Sequence, residues 1–169
     1  VEINEQRIIG LSTRTTNAKE MDPTTGRIGP LWKEFDDKVD VDYKKGNRVY
    51  GVYFDYESDA TGEYSVLAGT DQLDAKTSAE LETIVIQSGK YLVFTGKGDI
   101  PRIVFETWGI IWEYFSKKEA EYELSYTTDY EHYVNQYEID VYIAVKWTSD
   151  KLLHWNCAPR AQGMAFAST

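Results

Sequence analysis

One carboxylate stands out by its setting. Glu131 lies within the run Tyr130-Glu131-His132-Tyr133, an acid inside an aromatic strand. Ionising a carboxyl among rings is costly unless a cation or hydrogen-bond donors compensate. An organic cation would gain both charge neutralisation and contact with the ring faces. Strand alternation puts Glu131 on one face with Tyr133, leaving Tyr130 and His132 on the other, which disfavours a Glu–His dyad. The competing reading is a plain surface glutamate, because isolated Glu residues are almost never fully buried.

The chain marks this position in a second way. Leu31-Trp32-Lys33-Glu34-Phe35 reappears as Ile111-Trp112-Glu113-Tyr114-Phe115, and Tyr50-Gly51-Val52-Tyr53 as Tyr130-Glu131-His132-Tyr133, both at an offset of 80 residues (32 to 112, 50 to 130). A constant offset points to two copies of one supersecondary unit. Gly51 stands where the second copy has Glu131, so the first copy leaves room where the second carries an acid. A further aromatic set, Phe105, Trp108, Trp112 and Phe115, falls on one face of a helix at i, i+3, i+7 and i+10. Such a stripe serves a core or lines a cavity, and one stripe can do both.

Other chemistries have little to work with. There is no G-x-S-x-G elbow, P-loop or H-E-x-x-H, and Gly96-x-Gly98 is followed by Pro101 where a dinucleotide fingerprint needs Gly. His132, His154 and the single Cys157 are too few for a zinc site. No catalytic residue, metal ligand set or cofactor is therefore assigned. A lone cysteine implies no intramolecular disulfide. The absence of a basic, then apolar leader and of any run near the roughly 18 apolar residues of a membrane span makes a cytoplasmic chain with no membrane partner the expectation. A formal charge of −10 disfavours direct nucleic-acid binding and favours cationic partners.

The elements that must position Glu131 follow from periodicity. Arg7–Thr15 reads as a strand, then a polar segment over Thr16–Gly29, then a helix opening at Pro30 with Leu31, Trp32, Phe35 and Val39 as its apolar stripe. Strands follow at Arg48–Glu57 and Glu63–Gly69. The second copy has Leu81–Thr95, broken at Ser88-Gly89, a helix from Arg102 to Lys118, and strands at Tyr130–Val134 and Glu138–Trp147. This order predicts an α+β fold of two β-α-β-β halves, residues 5–75 and 81–149. The halves are related by a pseudo-twofold axis, with an antiparallel sheet carrying helices on one face. Residues 1–150 form one domain, and 151–169 read as a loosely ordered extension.

Several of these pieces resemble a known family in order and spacing. They are Thr13-Arg14-Thr15-Thr16-Asn17, the Leu31-Trp32-x-x-Phe35 helix and Tyr50-Gly51-Val52-Tyr53-x-Asp55-Tyr56. With them go Ser88-Gly89-x-Tyr91-x-Val93-Phe94, Tyr130-Glu131-x-Tyr133 and Ile139-x-Val141-Tyr142-Ile143-Ala144-Val145. Together they resemble the gyrase-inhibitor-like (AraC-type) effector-binding domains, and among these the free-standing integron-cassette proteins. The resemblance implies a central ligand cavity between the halves and binding of lipophilic cations through an acid at Glu131. Trp108, Trp112, Tyr53, Tyr91, Phe105 and Tyr133 are then the expected walls, and the Thr16–Gly29 segment an expected cover. Relatives fused to a DNA-binding module regulate transcription. A first strand starting near Arg7 leaves that task to a separate regulatory protein partner. Two other functions stay open: hydrolysis of reactive electrophiles with Glu131 as general base, and a protein-binding inhibitor or adaptor.

Overall fold

The computed structural model describes residues 1–72 and 80–148; the expected extension at 151–169 lies outside them. Among the described residues nine strands and three α-helices follow in chain order, with one 3-10 turn at Tyr43–Lys45: β1 (Glu2–Ile3), β2 (Gln6–Thr15), α1 (Asn17–Glu20), α2 (Ile28–Lys38), β3 (Val49–Phe54), β4 (Tyr64–Thr70), β5 (Glu82–Ile86), β6 (Gly89–Lys97), α3 (Arg102–Ser116), β7 (Tyr122–Leu124), β8 (Thr128–Asn135) and β9 (Glu138–Trp147). The strands make one sheet in the order β1-β6-β9-β8-β3-β4-β2-β5, with β7 on β9. Every pairing is antiparallel. The sheet curls: β5 at its end also touches β8, and the Gln87 N–H donates to Thr128 Oγ1 at 3.1 Å.

Side-chain alternation divides the interior. On one face, α2 buries Leu31 and Phe35 against Val49, Val66 and Ala68. On the same face, α3 buries Ile103 and Ile111 against Ile139, Val141 and Ile143. Close approach of α3 depends on Gly96, where a Cβ would lie 2.2 Å from Thr107 Oγ1. The opposite face has its own core of Ile8, Tyr50, Val52, Leu67, Ile86, Tyr91 and Tyr130. The α+β architecture, the antiparallel sheet and the placement of both helices on one face match the reading of the sequence.

Differences lie in short or remotely capped pieces. β1, α1 and β7 have two, four and three residues, too few to show a period. Helix α2 begins at Ile28, two residues before Pro30, because the Glu20 carboxylate accepts from the backbone N–H groups of Arg27 (2.8 Å) and Ile28 (3.3 Å). These are among the N-terminal donors that a helix cannot satisfy internally. Among the described residues no helix is long and apolar enough to cross a membrane.

Candidate functional site

Strands β3 and β8 pair at the middle of the sheet in a register that sets Gly51 directly opposite Glu131. The two positions singled out by the 80-residue offset are thus neighbours in space. A Cβ at Gly51 would sit 2.7 Å from Glu131 Oε2 and 3.2 Å from Trp32 Cζ2. Glycine therefore leaves the volume that the carboxylate and an indole edge occupy.

Glu131 is 2% exposed and is held by three side-chain donors. Trp108 Nε1 donates to Oε1 at 2.7 Å, the Tyr53 hydroxyl to the same oxygen at 2.9 Å, and the Tyr133 hydroxyl to Oε2 at 2.8 Å. These groups come from α3, β3 and β8, so the position of the acid is fixed by three separate elements. Burial raises the Glu131 pKa above the ordinary glutamate value, while the Trp108, Tyr133 and Tyr53 donors pull it back. Burial and the nearby carboxylate also raise the Tyr53 and Tyr133 phenols, which keeps both protonated as donors.

The acid borders a cavity of about 1020 Å³ between the two helices and the sheet. Its walls include Trp32 and Trp112, the tryptophans of the repeated helical motif. Trp108 stacks on Trp112 with centroids 5.9 Å apart, and Trp32 meets Tyr133 edge-on at 5.4 Å. Residues of the expected cover segment, Asn17, Glu20, Met21 and Ile28 among them, also border the space. Four carboxylates line the cavity (Glu20, Asp36, Asp129 and Glu131), and no Lys, Arg or His does so among the described residues.

Of the residues singled out in the sequence, Glu131, Trp108, Trp112, Tyr53, Phe105 and Tyr133 all border this cavity. Phe105 does so from the rim, 74% exposed, because the core face of α3 is Ile103-Thr107-Ile111 and not the aromatic stripe. Phe115, the last member of the stripe, is half-buried and packs against the edge of the core between α3 and the sheet. Tyr91 does not line the cavity. Leu92 and Phe94 of β6 face α3, so alternation turns Tyr91 to the opposite core. There its hydroxyl donates to the Gln87 carbonyl at 2.7 Å and lies 2.7 Å from Thr128 Oγ1.

Sequence reasoning passed over Asp129, Tyr56, Tyr64 and Trp32. Asp129 is 6% exposed; Tyr56 donates its hydroxyl to Oδ2 at 2.6 Å and the Ala144 N–H donates to Oδ1 at 2.8 Å. Burial raises its pKa to about 6 against these two hydrogen bonds. The signal was available: Asp129 and Glu131 are two apart in one strand and so share a face. Trp32 was marked by its echo in Trp112.

Comparisons with known proteins bear on the family and the topology. A family model described as "Integron-associated effector binding protein" matches residues 1–145. YobU, a candidate transcriptional regulator of Bacillus subtilis (strain 168), is 31% identical over 154 residues, 83% of this chain and 92% of its own. The integron cassette protein VCH_CASS2, from the mobile metagenome of Vibrio cholerae, has a crystal structure that matches with a TM-score of 0.78 at 37% identity, over 86% of this chain and 94% of that one. SAV2435, solved bound to tetraphenylphosphonium, shares the fold with a TM-score of 0.61 at 16% identity, over 86% of this chain and 92% of its own. On its sequence match and its sheet, the chain belongs to the integron-associated effector-binding protein family.

Proposed function

We propose that the cavity binds hydrophobic organic cations, with Glu131 as the counter-charge and Trp108, Trp112, Tyr53 and Tyr133 as aromatic walls. The observation that carries this reading is a buried carboxylate oriented by three donors inside a cavity with four acids and no base among its described lining residues. Burial makes the ionised Glu131 costly when the cavity is empty, and a cation offsets that cost directly. Ring faces add cation–π attraction of roughly 0.5–2 kcal/mol per well-placed contact. Phe105 and Trp112, exposed at the rim, extend the apolar surface toward solvent.

Tetraphenylphosphonium, the ion held by the similarly folded SAV2435, is the first probe. At a concentration roughly a hundred times Kd, binding contributes about 2.7 kcal/mol to native stability, a rise in Tm of about 5–10 °C for a chain of this size. Glu131→Gln is expected to abolish most of that rise while retaining the response to neutral triphenylphosphine oxide. Equal loss for cation and neutral compound would show that Glu131 shapes the cavity without pairing charge.

A further inference from the structure

The chemistry around Glu131 has a counterpart two residues away. Asp129 is also buried, borders the same cavity and points to the same face of β8. Tyr56, whose hydroxyl orients its Oδ2, lies 5.8 Å from the Tyr64 ring and 5.6 Å edge-on from Tyr126. All three tyrosines line the cavity. Each acid therefore has its own group of rings, and the groups meet where Tyr53 and Tyr64 approach to 5.9 Å. Tyr53 binds the first acid, and Tyr64 belongs to the rings around the second.

Part of the role of Asp129 is structural. Its Oδ1 takes the Ala144 N–H just beyond the Tyr130–Tyr142 pairing, where β8 leaves β9. That duty does not require a charge, since an asparagine oxygen would accept the same bond. A carboxylate has about four acceptor positions, and the two protein donors leave the others for a ligand. With a pKa of about 6, the group is charged at neutral pH.

We infer that the cavity has two cation-receiving ends, centred on Glu131 and Asp129, and that its preferred ligands are hydrophobic dications spanning both. This rests on the reading of Glu131 given above and specifies the ligand class further. The strand fixes the separation, because residues two apart are about 7 Å apart along the chain axis. Ligands with a matching distance between charged centres would engage both acids, and a monocation of equal length would engage one.

The test is calorimetric titration of the full chain with bis-trimethylammonium alkanes of graded spacer, hexamethonium among them, each against the monocation of equal length. The expected result is a dication advantage of about tenfold or more that peaks at one spacer length. In Asp129→Asn the ratio of dication to monocation affinity should fall by about tenfold, whereas Glu131→Gln should weaken both ligands. Monocation binding without a dication advantage at any spacer would overturn the second centre and leave the first intact. No preference for cations over neutral alkanes of similar size would overturn both. If Asp129→Asn fails to fold, the spacer dependence of the native chain decides the matter alone.

Discussion

Two buried acids on one strand face make the native state sensitive to protons. For Asp129 the folded pKa of about 6 lies above the ordinary 3.8, so the neutral form is favoured by folding. Its stabilising contribution is complete below about pH 4 and disappears as the pH rises through about 6. That displacement corresponds to about 3 kcal/mol. Asp129→Asn cannot titrate, so the stability difference between variant and native chain should shift by about 3 kcal/mol in the variant's favour between about pH 3 and 7. Urea denaturation across that range measures it, and a pH-independent difference would refute the assignment. Glu131 is present in both proteins and cancels from the comparison. At this scale the sequence marked Glu131 through its contrast with Gly51, but alternation alone did not say which face of each strand met the cavity. Tyr91 was misjudged for that reason. Asp129 was missed because the strand was read as starting at Tyr130, one residue beyond it, whereas β8 begins at Thr128.

Helix α2 owes its start to an acid that is remote in sequence. Glu20, at the end of α1, accepts from the first amides of α2 and from the Thr15 hydroxyl. Its negative charge also complements the positive end of the helix. Glu20→Ala should cost about 1–2 kcal/mol, the usual penalty for losing a helix cap. Hydrogen exchange should then accelerate in the first turn of α2 and remain unchanged in α3. Equal acceleration in both helices would mean that Glu20 acts on the whole fold and not as a local cap. This explains why the start of α2 was displaced in the sequence reading: Pro30 is a local signal, whereas the cap arrives from several residues upstream. The long elements were legible. β9 runs over Glu138–Trp147 as its Ile139-Val141-Ile143-Val145 alternation requires, and α3 covers most of the stretch expected. Helical period also identified an aromatic face on α3, but it could not rank that face below the Ile103-Thr107-Ile111 face that packs on the sheet.

Across the whole molecule, the two segments on either side of residues 73–79 are stitched together three times. β3 pairs with β8, β1 with β6, and β2 with β5. Such pairings are distant in sequence, and no local pattern discloses which strand will meet which. They also make each segment depend on the other for its edges. A chain divided between residues 72 and 80 is expected to give two fragments that are poorly folded alone and regain β-sheet circular dichroism on mixing. Independent folding of either fragment would count against this interdependence. The register of β3 on β8 carries the last consequence. Gly51 emerges in synthesis 80 residues before Glu131 (131 − 51), as a space whose occupant has yet to be made. A ribosome that stalls between them releases a polypeptide in which the cavity lacks its central acid and the strand that carries it, so the site exists only once β8 has been made.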